Sequence, residues 1–303
     1  MKWGIIGFSP GNGHPFSFSA IVNGYDREAL ARADWPVILN YLEAQPREKI
    51  GLPGIEITTA WGSCPETTEK LCAACRIPRR VADPAEMLGL VDAVIIARDD
   101  WESHRPLAAP FLEAGRPVLL DKPLSLQEED WAYFAPYLRS GKLLSGSGLR
   151  FARELDAFRE VASGPFACRH INATVLNNLS HYGIHLLEAI AGLGFPRIHS
   201  IRRLPASHES FHLTLANGVT VSLDCLGAVG KTFHLSFFGE KGHEHFDLHD
   251  NFSAFRRLLK HFAHLAQTGE PPFDPEETLH LMQILRAGVH LQPGGEWICP
   301  SES

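Results

Sequence analysis

A lysine held between a buried apolar run and a proline is placed to do chemistry. Lys122 stands so in Val118-Leu119-Leu120-Asp121-Lys122-Pro123. At the carboxyl end of a parallel strand, where open α/β sheets bind ligands, its ammonium can hydrogen-bond a substrate hydroxyl or a developing alkoxide. A second group is Ser180-His181-Tyr182-Gly183-Ile184-His185. Its spacing puts His181 and His185 on one helix face near a helix start. A neutral imidazole at His185 is a candidate general base for an alcohol proton.

The third group is the run Trp3-Gly4-Ile5-Ile6-Gly7-Phe8-Ser9-Pro10-Gly11-Asn12-Gly13-His14. It reads as a strand, a glycine-rich loop and a helix start. Laid on G-x-G-x-x-G from Gly7, the template positions hold Gly7, Ser9 and Asn12. Gly11 and Gly13 still offer backbone N–H groups ahead of a helix, where unpaired donors and the helix dipole attract phosphate. The motif alone leaves open a tight turn that binds nothing. The acidic residue that would hold an adenosine ribose is also missing. The second strand runs out into Trp61-Gly62-Ser63, so NAD and NADP both remain open and Ser63 can contact either.

Two patterns resemble metal ligands. Cys72 and Cys75, with Cys64 upstream, lie in an alanine-rich helical stretch with no second cysteine pair nearby. His243, His245 and His249 alternate along a strand. Helix packing and exposed strand histidines account for them, and no metal site is expected. The six cysteines are expected as reduced thiols.

The elements that must position these groups change character along the 303 residues. Strand-like runs at Trp3–Gly7, Ile55–Ala60, Ala93–Ala97 and Val118–Leu120 alternate with helical patterns at Pro65–Cys75, Pro84–Leu88, Ser103–Ala114 and Leu126–Leu138. Lys142–Ser147 extends the set as a further strand. Such alternation predicts βαβ units and a parallel sheet buried on both faces. Beyond residue 148 a helix over Arg153–Val161 is followed by strands at Cys168–Val175, Ile198–Arg203, Ser210–Ala216, Thr220–Cys225 and Thr232–Phe238. Asn217-Gly218 marks a hairpin turn. Helices are predicted at Ser180–Ala191, Asn251–Thr268 and Pro275–Gly288. The expected fold is α/β: a Rossmann-like parallel-sheet domain over 1–148, then an α+β domain over 149–303 on an open, mostly antiparallel sheet.

Composition excludes several classes. A net charge of −7 leaves no basic footprint for nucleic acid. No apolar run approaches the roughly 20 residues of a membrane span. The apolar stretch at the N-terminus is too short for a signal peptide, which predicts a cytoplasmic protein.

Residues 91–125 carry a specific likeness. Asp92–Ala97, His104, Glu113-Ala114-Gly115 and Asp121-Lys122-Pro123 resemble the strand, histidine, helix end and Glu-Lys-Pro of the Gfo/Idh/MocA oxidoreductases. Asp121 stands where that family has Glu. The likeness extends to Arg150-Phe151, to Gly183 and His185 in an Asp-x-Gly-x-His helix start, and to the hairpin Gly239-Glu240-Lys241-Gly242. His181 replaces the family's Asp, and the segment Asp34–Gly54 and the first loop depart from the pattern. The resemblance implies hydride transfer between NAD or NADP and a carbinol of a sugar, polyol or sugar derivative. It implies cofactor contacts at Gly7, Ser9, Gly11, Asn12, Gly13, Ser63, Arg98, His104 and Asp121. Lys122, His185 and His181 would be catalytic, and Arg150 and His181 would shape the site of a small carbohydrate-like substrate. It also implies a homodimer or homotetramer. The rebuilt loop and His181 keep one rival in view, a cofactor-binding or sensory protein without efficient turnover. The histidine-rich second half motivates another, a metal-assisted hydrolase or lyase.

Overall fold

A computed structural model describes residues 1–162, 164 and 166–300. The chain divides into two compact units. One is Met1–Ser145 with Phe255–Pro275; the other is Gly146–Ala254 with the chain from Glu276 onward. Phe255–Pro275 groups with the N-terminal residues. The reason is aromatic packing: Phe262 lies 4.9 Å from Trp3, and Phe255 lies 5.3 Å from Phe18, between ring centroids. Arg256 also donates to the Lys49 carbonyl at 2.9 Å.

The strands of the first unit are β1 (Lys2–Gly7), β2 (Glu56–Gly62), β3 (Arg79–Arg80), β4 (Ala93–Ile96), β5 (Val118–Leu120) and β6 (Leu143–Ser145). All pair in parallel, in the order β3-β2-β1-β4-β5-β6. β4, β5 and the residues Trp3–Gly7 are buried, as expected of parallel strands covered by helices on both faces. The chain reverses its winding between β1 and β4, so the carboxyl ends of β1, β4 and β5 open on the crevice where such sheets bind ligands. The helices α1 (His14–Asn23), α2 (Arg27–Arg32), α3 (Pro36–Glu43), α4 (Pro65–Cys75), α5 (His104–Glu113) and α6 (Glu128–Arg139) connect the strands. Gly115, at φ 71°, ends the α5 segment as the sequence predicts. The stretch expected as a helix from Pro84 is a 3₁₀ turn over Pro84–Gly89. α2 and α3 are extra to the sequence reading. α3 lies in the departing segment Asp34–Gly54, and α2 lies just before it.

The second unit holds α7 (Asp156–Arg159), β7 (Cys168–Val175), α8 (Ile184–Gly192), β8 (Ile198–Leu204), β9 (Glu209–Leu215), β10 (Thr220–Cys225), β11 (Phe233–Gly239) and β12 (Gly242–Asp247). The remaining α-helices among the described residues are α9 (Asn251–Thr268) and α10 (Pro275–His290). The sheet runs β12-β11-β7-β10-β9-β8, antiparallel except for the β7–β10 pair. Along β7, Ile171, Ala173 and Val175 are buried and alternate with half-exposed Asn172 and Thr174, so one face is covered and one open. Among the described residues no helix is long and apolar enough to cross a membrane.

Candidate active site

At the carboxyl ends of β1, β4 and β5 the first unit gathers residues from far apart in the chain. Lys122 follows β5 and is only 4 % exposed. Its Nζ lies 3.7 Å from Asp99 Oδ2. Asp99 follows β4, accepts a hydrogen bond from the Ser9 hydroxyl on its Oδ1, and gives its own N–H to Ser9 Oγ at 3.1 Å. A buried ammonium is tolerable only beside an opposite charge, and Asp99 supplies it. The sequence reading missed Asp99. Its only signal there was an acidic pair just after a buried strand.

Asp121 is the second node. Its Oδ2 faces His14 Nδ1 at 2.5 Å and accepts from Asn12 Nδ2 at 3.1 Å, while Oδ1 accepts the Lys122 N–H at 2.9 Å. Burial pushes this carboxyl up, but the charge and hydrogen bond of His14, then Lys122 and Asn12, outweigh it and hold Asp121 well below its ordinary 3.8. The imidazole of His14 packs against Phe18 and Phe255, at 5.1 and 5.0 Å between centroids. Asp121 therefore stitches the first loop to the end of β5. A carboxylate with a depressed folded value stabilises the fold above its unfolded value and ceases to as pH falls through the folded one. Asp121→Asn is expected to cost about 1–3 kcal/mol at neutral pH. The gap from wild type should close as the pH falls below about 4, read from urea midpoints at a series of pH values.

The glycine loop is partly self-satisfied. Asn12 N–H donates to the Ser9 carbonyl at 3.2 Å, and His14 N–H to Asn12 Oδ1 at 2.8 Å. Among the described residues the N–H groups of Gly11 and Gly13 have no protein acceptor, and α1 has no side-chain cap at Gly13. Two donors at the start of a ten-residue helix fit a phosphate. Gly11, at φ 76°, has open space beside it. Gly13 does not: a Cβ there would lie 2.8 Å from Ile38 and from the Trp35 ring. The close approach of α3 requires this glycine. Gly7 is crowded as well, with Pro15 2.6 Å from a would-be Cβ. Ser63 is exposed at the end of β2, its N–H on the Gly7 carbonyl at 3.2 Å and its hydroxyl on that of Phe8 at 3.3 Å.

His104 and Arg98 both have partners within the protein. His104 is fully buried, with Nδ1 3.0 Å from the Leu124 carbonyl and Nε2 2.7 Å from that of Arg98. Each ring nitrogen faces a backbone carbonyl, so the ring clips the loop after β4 to the loop after β5. Arg98 forks onto Asp100, with Nε–Oδ1 2.9 Å and Nη2–Oδ2 2.6 Å, and also meets Ser103 at 3.0 Å. The fork shapes the loop.

In the second unit, α8 is preceded by a π-helical turn over Leu179–Gly183, capped by Asn178, which accepts the His181 N–H at 3.0 Å. His181 and His185 therefore do not share one regular α-helical face. His181 is exposed, its Nδ1 3.1 Å from both Asn178 Oδ1 and Ser180 Oγ. His185 is half-buried between Tyr182 and Phe233, with Nδ1 2.6 Å from Ser147 Oγ. Arg150 faces two carboxylates. It is buried, with Nε 2.5 Å from Glu188 Oε2 and Nη1 2.6 Å from Glu277 Oε2. Burial raises the Glu188 carboxyl, which Arg150 offsets in part.

Among the described residues no three His, Cys, Asp or Glu side chains gather as a metal site. Burial pushes the Cys72 thiol up to about 11, and all six cysteines are free.

Residues 2–142 match the family described as "Oxidoreductase family, NAD-binding Rossmann fold", Gfo/Idh/MocA. They belong to the Gfo/Idh/MocA oxidoreductases. The matched residues span the parallel sheet from β1 to the residue before β6. No curated protein matches the sequence. Solved structures share the fold over nearly the whole chain. Myo-inositol 2-dehydrogenase from Lactobacillus plantarum is 14 % identical, with a TM-score of 0.77 and 99 % of each chain covered. Scyllo-inositol dehydrogenase from Lactobacillus casei, with bound NAD(H) and scyllo-inositol, is 14 % identical with a TM-score of 0.75, covering 99 % of each chain. GenD2 from gentamicin A biosynthesis, in complex with NAD, is 14 % identical with a TM-score of 0.74, covering 99 % of this chain and 96 % of that one.

Proposed function

We propose that this member of the Gfo/Idh/MocA oxidoreductases is an NAD(P)-dependent dehydrogenase acting on a carbinol of a polyol, a sugar or a sugar derivative. The observation that carries the reading is Lys122, buried at the carboxyl end of β5 and ion-paired to Asp99. An ammonium fixed at this place serves to orient a substrate oxygen and to stabilise charge on it. The N–H groups of Gly11 and Gly13 would hold the cofactor's pyrophosphate, with Ser63 beside the adenosine ribose. The bound cofactor supplies the redox chemistry, exchanging a hydride equivalent with the carbinol carbon. His185 exchanges the hydroxyl proton, and exposed His181 meets the substrate. The inositol dehydrogenases that share the fold support a polyol as the first class to try. Fluorescence titration with NADH and NADPH tests the cofactor. Cofactor reduction across inositols, aldoses, amino sugars and uronic acids tests the reaction. Binding without reduction on any of them favours the second reading, a cofactor-binding protein without turnover. That reading draws on the donors of Asn12 and His14 being used inside the loop.

Gly11→Asp separates the loop's binding role from packing. Aspartate tolerates a left-handed backbone, and space is open beside Gly11. NADH affinity should fall by a factor on the order of 10 or more, the equivalent of ~1.4 kcal/mol, while the melting temperature changes little. Unchanged affinity would assign the loop another task. Homodimer or homotetramer assembly through the open sheet face belongs to the same reading, and light scattering at micromolar concentration tests it. A cytoplasmic location, consistent with six free cysteines, belongs to it too and is tested by cell fractionation.

A further inference from the structure

We propose that Ser147 is the positioning residue for His185, and that its hydroxyl decides which ring nitrogen carries the proton. The inference rests on the reading of His185 as the proton-exchanging group. Ser147 opens the 3₁₀ turn Gly148–Phe151 and is 2 % exposed. Its Oγ has two neighbours among the described residues: the Leu149 N–H at 3.1 Å and His185 Nδ1 at 2.6 Å. A hydroxyl has one hydrogen to give and two lone pairs to receive. The Leu149 N–H can only donate, so it uses a lone pair. If Nδ1 also donated to Oγ, the hydroxyl hydrogen would be buried with no acceptor, and a buried unmatched donor loses its hydration without return. The balanced arrangement is Ser147 O–H to Nδ1. The neutral ring then carries its proton on Nε2.

The ring is held in that setting by its neighbours. Tyr182 lies 5.7 Å away and Phe233 5.5 Å, both edge-on between centroids, and a flip of the imidazole has to displace them. The consequence is directional. The resting neutral ring presents an Nε2–H donor, which suits the carbonyl oxygen of an oxidised substrate. To accept a proton from an alcohol, Nε2 must first be bare. The ring proton then sits on Nδ1, and Ser147 changes from donor to acceptor. A hydroxyl can make that exchange, whereas a carboxylate partner can only accept.

Long-range proton–nitrogen NMR on protein with labelled histidine tests this about two pH units above the ordinary imidazole value of ~6.5. The signals that disappear in His185→Asn identify the ring. Wild type should show Nδ1 unprotonated and Nε2 protonated. Ser147→Ala should bring the two nitrogens toward an average as the ring samples both tautomers, and Ser147→Thr, which keeps the hydroxyl, should restore the wild-type pattern. A protonated Nδ1 in wild type overturns the proposal. So does an Ala variant with the wild-type spectrum. If Ser147→Ala does not fold by thermal melt, the wild-type and Thr spectra still decide. The ring signals report whether or not turnover occurs. Wild-type turnover in His185→Asn would remove the assigned role of His185 and leave the tautomer result standing.

Discussion

Lys122→Met is expected to lower turnover by about 10²–10³-fold while leaving NADH affinity within a few-fold of wild type. The stem is kept and the charge removed, so the loss measures electrostatic stabilisation of the substrate oxygen, in the range found when one such donor is deleted. His185→Asn should cost about 10²–10⁴-fold, the usual contribution of a positioned acid or base. The comparison is made under cofactor saturation on whichever panel compound reduces the cofactor fastest. Asp99 complicates the lysine variant, since its carboxylate loses its cation. Asp99→Asn in the Lys122→Met background removes that residual charge and is expected to recover stability without turnover. Near-wild-type rates in both single variants would overturn the assignment of both residues, even with the cofactor confirmed.

The second large effect concerns stability. Glu188 is 1 % exposed and pairs with buried Arg150. Deleting one partner of such a pair leaves a charge buried alone, which costs about 3–5 kcal/mol. Glu188→Ala should lower the unfolding free energy by less than that, because Arg150 keeps its pair with Glu277. Replacing both partners by apolar residues of similar volume, Arg150→Met with Glu188→Leu, should recover much of it. Glu277, the outer partner of Arg150, limits the recovery, because its carboxylate also loses a cation. If Arg150 served mainly to bind substrate, the double variant would show a raised KM for that substrate. The burial and the two carboxylates instead predict that stability changes more than KM. Chemical denaturation and steady-state kinetics on the same preparations separate the two.

The sequence alone determined a good deal. Short apolar strands between amphipathic helices have distinct periods, and those periods are local. The six parallel strands, apart from the two-residue β3, and the mixed sheet of the second half were therefore legible along the chain. So was Lys122, because an apolar run, an acid, a lysine and a proline are consecutive residues. His185 was legible for the same reason. What required the tertiary structure were pairings between residues distant in sequence. Asp121 and His14 are 107 residues apart, Ser9 and Asp99 are 90, and Ser147 and His185 are 38. No window of sequence contains both members of such a pair. The partners of His104 and Arg150 were hidden for the same reason. A motif states which residue type stands at a position, but not which partners its hydrogen-bonding groups have already taken. Two carbonyls occupy His104 and two carboxylates occupy Arg150. The glycine at position 13 shows the limit from the other side. It looks like part of a phosphate loop, yet the contact with Trp35 and Ile38 requires it, and only the folding of α3 onto the loop decides that.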